Sequence, residues 1–354
     1  MLLPALLFSI VHIPPADAAV PYRQPQLAAA HGLVAMTFGG GSSLYFTSSS
    51  DQGRTFLPAS KVAETGALAL GRHRGPRIAI LKDAIVITAI AGKKTATGPH
   101  AHGLPENGDL MVWRSTDRGK TWMQTSVVND TAGAAREGLH ALAAGPDGSL
   151  FAVWLDLRMK GTQLYGASSK DGGLTWSKNV AIYASPGGTI CQCCHPALSI
   201  DEGGRVWVMW RNALDGSRDP YVTSSGDGVR FESAKRLGTG TWKINACPMD
   251  GGGIAVDKGR VTSAWRREAD VFLAAPDGTE KRLGTGKDVA IAKAKRGTYV
   301  AWTKDGAIEI LPPNAAAAEA LSPKGGFATL LPLPDGAVLA AWETQATVET
   351  KRID

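Results

Sequence analysis

An eight-residue turn recurs along this chain. Ser49-Ser50-Asp51-Gln52-Gly53-Arg54-Thr55-Phe56 returns as Ser115-Thr116-Asp117-Arg118-Gly119-Lys120-Thr121-Trp122 and again as Ser169-Lys170-Asp171-Gly172-Gly173-Leu174-Thr175-Trp176. A worn copy stands at Ser225-Gly226-Asp227-Gly228-Val229-Arg230-Phe231. Each residue type suits a hairpin turn. The aspartate accepts hydrogen bonds from the turn's own amides, glycine takes a positive φ, threonine bonds locally, and the aromatic ring packs back between strands. Self-similarity of this kind marks a repeat architecture.

A second pattern runs in step with the first. Short apolar strands end in Trp or an equivalent: Val34–Phe38, Ile85–Ile90, Phe151–Trp154, Val206–Trp210, Val261–Trp265, Tyr299–Trp302 and Val338–Trp342. Each follows another short strand across a polar or glycine-containing turn, and a strand carrying the aspartate turn usually comes next. The units start near residues 24, 75, 138, 195, 248, 287 and 325. With 354 residues, 42 glycines, 44% apolar residues and almost no helical periodicity, the chain is expected to be all-β, a β-propeller of seven blades, with six as the alternative. Only Ala315–Leu321 has a helical look. The seventh unit reaches Asp354 without a fourth strand, and Val20-Pro21-Tyr22-Arg23 is expected to supply it and close the ring.

The opening run Met1–Val11 is apolar and too short to span a bilayer, and Ala16-Asp17-Ala18 follows as an A-x-A cleavage pattern. Residues 1–18 therefore read as a signal peptide and residues 19–354 as a single propeller domain, periplasmic or secreted. No other segment is long and apolar enough to cross a membrane. The formal charge of +6 is scattered, the densest runs being Lys93-Lys94, Arg266-Arg267 and Lys351-Arg352, so a phosphate-tracking stripe for nucleic acid is not expected.

The recurring turns resemble the Asp-box, or bacterial neuraminidase repeat, of sialidases and their many non-sialidase propeller relatives. The resemblance covers the repeat units along nearly the whole chain after the leader. It implies architecture more than activity.

In a four-stranded blade the aspartate turns join the third strand to the fourth, and so belong to one face. The reactive residues fall on the other. Arg72-His73-Arg74, His140, Cys191-Gln192-Cys193-Cys194-His195 and Cys247-Pro248-Met249-Asp250 all lead into innermost strands, while His100 and His102 occupy the insertion from Ala91 to Gly108 on the same face. Three kinds of chemistry suit this rim.

Thiolates, imidazoles and a thioether select a soft ion, copper or zinc, and Cys191, Cys193, Cys194, His195, Cys247, Met249, His100, His102 and His140 are the candidate ligands. In an oxidising compartment the same four cysteines have an alternative as two disulfides, either Cys194–Cys247 with Cys191–Cys193 or Cys193–Cys247 with Cys191–Cys194. The sialidase resemblance implies a third chemistry, glycoside hydrolysis. Arg23 would bind a substrate carboxylate, Glu137 would activate Tyr299 as nucleophile, and Arg211 and Arg266 would complete an arginine triad. That set lacks its acid, because no Asp or Glu lies between Arg23 and the first aspartate turn. A non-catalytic scaffold that docks a small ligand, glycan or protein at the channel face is the remaining expectation.

Overall fold

The computed structural model describes residues 9–97 and 103–354. Seven antiparallel sheets, all but one built from consecutive strands, are arranged as a seven-bladed β-propeller. The innermost strands are Arg23–Ala30, Arg77–Ile80, His140–Ala144, Ala197–Ile200, Gly253–Asp257, Lys287–Ala294 and Gly326–Pro332. Each packs against the innermost strand of the next blade, and the last packs against the first, so the ring is closed around a channel. The second strand of each blade is mostly buried, since both its faces meet neighbouring blades, except in blade 5, where only Ser263–Trp265 of Arg260–Arg267 are buried. Trp154, Trp210, Trp265, Trp302 and Trp342 stand near the ends of these strands and are among the largest fully buried side chains. Burying such rings between sheets is the dominant favourable term in a fold with no single central core.

The aspartate turns have the geometry their sequence implies. In the first, Asp51 Oδ1 accepts from the amides of Arg54 and Thr55 at 3.0 and 2.9 Å, and Thr55 Oγ1 donates to Asp51 Oδ2 at 2.6 Å. Ser49 Oγ accepts from the Gly53 amide at 2.9 Å. The same set recurs around Asp117 and Asp171. These turns also lock neighbouring blades together. A Cβ on Gly119 (φ +87°) would lie 2.2 Å from the Phe46 ring of blade 1, so glycine is required both by conformation and by contact.

Two expectations are corrected. Ring closure uses Val11–Ile13, which pairs antiparallel with Val348–Ile353 (Val11 opposite Thr350, Ile13 opposite Val348), and not Val20–Arg23. Pro21 has no amide to donate to a ladder. Tyr22 is instead buried against Phe38 and Tyr45, with ring centroids 4.5 and 4.6 Å away, and Arg23 begins blade 1. The stretch Ala315–Leu321 forms no helix: Glu319–Ser322 is the outer strand of blade 6, paired with Ala307–Leu311. Pairing with an open sheet edge outweighs the modest helix propensity of the alanines. Among the described residues no helix is long and apolar enough to cross a membrane.

Candidate functional site

The channel face is shaped by bulges at the starts of three innermost strands. The ladders of blades 1, 6 and 7 break register between Arg23 and Gln26, Lys287 and Ala290, and Gly326 and Thr329. Gln24, Asp288 and Phe327 stand at these breaks with φ of 56, 55 and 53°. A non-glycine residue held there costs roughly 1–2 kcal/mol, and bulges of this kind re-aim side chains at the rims of sites. Two buried carboxylates hold the amides of Gln24 and Asp288. Glu343 Oε2 accepts from Gln24 N at 2.7 Å and from Gln24 Nε2 at 3.0 Å, while its Oε1 accepts from Arg23 Nε at 2.9 Å. Asp250 Oδ2 accepts from Asp288 N at 2.7 Å and its Oδ1 from Gly252 N at 3.2 Å. Burial pushes the Asp250 carboxyl above its ordinary range.

His73, at φ +67°, links these elements. Its Nε2 lies 3.1 Å from Asp288 Oδ1, its ring stacks on His195 with centroids 4.1 Å apart, and Phe327 meets it edge-on at 5.0 Å. His195 has both nitrogens engaged. Nδ1 accepts from the Gly251 amide at 3.3 Å and Nε2 faces the Gly252 carbonyl at 3.1 Å, which fixes the Nε2-protonated tautomer. Burial first, then His73 and Arg77, hold the imidazole neutral well below its ordinary pKa. Blade 5 can come this close because residue 251 is glycine: a Cβ there would lie 1.9 Å from the His195 carbonyl oxygen.

Beside His195 is a sulfur cluster. The Cys191, Cys193 and Cys194 thiols are buried, with Sγ separations of 3.3 Å (191–194), 3.7 Å (191–193) and 4.0 Å (193–194), and Met249 packs against them. They form the one group of three or more mutually close metal-ligating atoms among the described residues. The loop is positioned by blade 4 itself, since the Cys191 amide donates to the Arg211 carbonyl at 3.0 Å. Hydrogen bonds from the other two thiols draw the Cys191 thiol well below its usual range, whereas burial pushes Cys194 up. Cations surround the cluster: Arg211 influences Cys191 and Cys194, Arg74 is coupled to Cys193 and Cys247, and Arg72 Nη1 donates to Met249 Sδ at 3.2 Å.

Several candidate ligands are thereby set aside. His195 has no nitrogen to give. His140 is buried one blade from the cluster's own, its Nε2 3.0 Å from Thr88 Oγ1, and it is not part of the sulfur group. Cys247 is exposed and stands outside the trio, and the four cysteines carry free thiols in this structure. His100 and His102 lie outside the described residues.

The residues implied by the sialidase resemblance do not converge. Tyr299 is buried between blades 6 and 7 among Ala294, Ile308 and Val338. Arg211 is buried and its guanidinium serves three backbone carbonyls, those of Asp250, Arg218 and Arg266. Arg266 donates through Nε to the Glu268 carbonyl, and the Glu137 carbonyl accepts from Arg74 Nε at 2.7 Å. Arg23 does face a cleft of about 660 Å³ across blades 1, 6 and 7, lined also by Lys287, Asp288, Lys324, Phe327 and Glu343. Asp288 and Glu343 escaped the sequence reading, and Asp250 entered it only as the end of the run from Cys247. Glu343 had a signal: it directly follows Trp342, as Arg211 follows Trp210 and Arg266 follows Trp265.

No family model and no curated protein matches the chain. Solved structures match over nearly its whole length. An α-L-arabinanase of Penicillium chrysogenum complexed with arabinobiose is 15% identical, with a TM-score of 0.56 and coverage of 98% of this chain and 97% of that one. A polysaccharide lyase, an ulvan lyase, is 10% identical, with a TM-score of 0.57 and 94% of each chain covered. NanB with optactamide is 9% identical with a TM-score of 0.57, over 97% of this chain and 70% of that one. At such identities the likeness is one of fold.

Proposed function

We propose that the protein binds a soft metal ion, copper(I) before zinc, at the channel face through the thiolates of Cys191, Cys193 and Cys194, with the Met249 thioether beside them. The observation that carries this is the sulfur geometry. With metal–sulfur bonds of about 2.3 Å, ligands of a tetrahedral or trigonal ion stand about 3.8–4.0 Å apart. The three Sγ separations of 3.3, 3.7 and 4.0 Å need only small adjustments to meet that. A donor set of three thiolates and a thioether, with the neighbouring imidazole already engaged by backbone, favours copper(I), and zinc takes second place because its closed sites take four Cys or His ligands. Arg72, Arg74 and Arg211 offset the negative charge that several thiolates would place in a buried pocket.

Anaerobic titration with copper(I) against a bicinchoninate competitor tests this. One ion per chain is expected, with affinity reduced on the order of 100-fold in Cys191→Ser or Cys194→Ser. Saturation by the competitor without uptake would exclude the site. An exported location suits the expected leader but is a separate matter, decided by fractionation of cells.

The cleft beside Arg23 favours a second reading, saccharide binding. Its floor offers a paired arginine and carboxylate, with Lys287 and Lys324 at the margin, the mixture that hydroxyl- and carboxylate-bearing sugars engage. Release of sialic acid from a fluorogenic sialoside, and calorimetry with acidic oligosaccharides, test catalysis and binding separately.

A further inference from the structure

Five sulfur donors on this face form a graded series from solvent to interior. Cys247 is exposed, Met249 is half-buried, and Cys191, Cys193 and Cys194 are buried. The first two belong to one short segment, Cys247-Pro248-Met249, which leads into the innermost strand Gly253–Asp257 of blade 5. Pro248 is buried and Met249 stands at φ +56°, so the segment turns sharply inward and its thioether packs on the trio. The Cys247 thiol remains outside, yet Arg74 is close enough to couple to both Cys247 and Cys193. Arg72 covers the intermediate sulfur by donating to Met249 Sδ.

We propose that Cys247 is the port through which copper(I) enters and leaves the buried trio, rather than a resident ligand. This rests on copper binding at the trio. Exchange proceeds by ligand substitution at constant oxidation state. A Cu–S bond to Cys247 forms as the donor's ligand departs, and the thiol proton passes to solvent. Met249 then Cys193 bonds the ion, the Cu–S bond to Cys247 breaks, and the Cys247 thiolate recovers a proton from solvent as Cys193 releases its own. An exposed thiol placed ahead of an enclosed thiolate group supplies what a closed site lacks: an incoming ion can be bonded before its previous ligand is lost. The Arg72 guanidinium over Met249 must swing aside, which an exposed side chain does readily.

The experiment is stopped-flow transfer from copper(I)–bicinchoninate to the full chain without oxygen, comparing wild type, Cys247→Ser and Cys194→Ser. The port predicts that Cys247→Ser still binds one ion, within about threefold of wild-type affinity, but takes it up at least about tenfold more slowly. Carboxamidomethylation of Cys247 after loading is expected to leave the ion bound, and before loading to block its uptake. Wild-type uptake rates in Cys247→Ser would overturn the port while leaving the trio intact. A loss of affinity as large as that of Cys194→Ser would also overturn it, by making Cys247 a resident ligand. No copper uptake by wild type would remove the site itself, and the port with it.

Discussion

His195 illustrates how a single residue couples the site to stability. It is buried, neutral and tied to blade 5 through both nitrogens, and His140 is likewise buried and driven well below its ordinary pKa, burial being the chief cause in each. A histidine whose folded-state pKa is depressed binds its proton only in the unfolded chain once the pH drops below about 6.5. Stability is therefore full above that value and falls as the pH descends towards the folded pKa. Each residue contributes about 1.4 kcal/mol of loss at one unit below, so the pair cost about 3 kcal/mol near pH 5.5. Urea midpoints measured across pH 5–7 are expected to show this slope, roughly halved in His195→Gln; an unchanged slope in that variant would contradict the assignment. Gly251→Ala makes a complementary prediction. A methyl 1.9 Å from the His195 carbonyl must push blade 5 away, so a loss of about 2 kcal/mol or more is expected, together with weakened copper binding. At this scale the sequence was only partly legible. It aligned cysteines and histidines on one rim, because the turns set the register. It gave no sign that backbone groups of Gly251 and Gly252 would occupy the imidazole, since partners brought together across blades leave no local spacing.

Strands and turns divide into those whose signal is local and those whose signal is not. The aspartate turns are local: acceptor, glycine and hydroxyl lie within seven residues and make the same bonds in each full copy. Burial opposes the charge on Asp171, but bonds from Thr175, Ser169 and Leu174 prevail and hold its pKa at about 2. Asp171→Ala is expected to cost about 1 kcal/mol once solvent exposure is allowed for, with copper uptake unaffected because the turn is on the far face. A thermal melt alongside the copper titration separates the two readouts, and a change in affinity would argue that the faces communicate. The tryptophan strands were equally legible, because inter-blade burial demands an unbroken apolar run. The bulges at Gln24, Asp288 and Phe327 were not. Positive φ outside glycine has no compositional mark, and the carboxylates that support it, Glu343 and Asp250, come from other blades. Helical propensity misled at Ala315–Leu321 for a related reason: the edge of blade 6 that recruits Glu319–Ser322 is invisible until the sheet exists.

The whole molecule depends on how its ring is closed. Blade 7 takes three strands from the end of the chain and the fourth, Val11–Ile13, from its beginning, so the two ends are joined as parts of one sheet. Ile13 is 4% exposed within a cluster that includes Tyr22, Met36, Phe38 and Val348, and Thr347 Oγ1 donates to its carbonyl. The same residues lie ahead of Ala16-Asp17-Ala18, where cleavage of a leader is expected, so export processing and ring closure make opposed demands on one segment. A chain beginning at Ala19 would keep three strands in blade 7 and leave Val348–Ile353 as an open edge. Such edges pair with other chains unless covered. Relative to a chain retaining residue 9 onward, it is therefore expected to melt at lower temperature and to associate as its concentration rises. Ile13→Asp, which leaves the backbone in place but buries a charge, is expected to cost about 3 kcal/mol or more. Intact mass of the protein purified from cells would show which form the cell makes. An unchanged melting temperature and a monomeric Ala19 chain would mean that Val11–Ile13 contributes nothing to closure. A lower melting temperature, together with self-association that a peptide spanning residues 9–15 suppresses, would identify the edge of blade 7 as the point on which the ring's integrity rests.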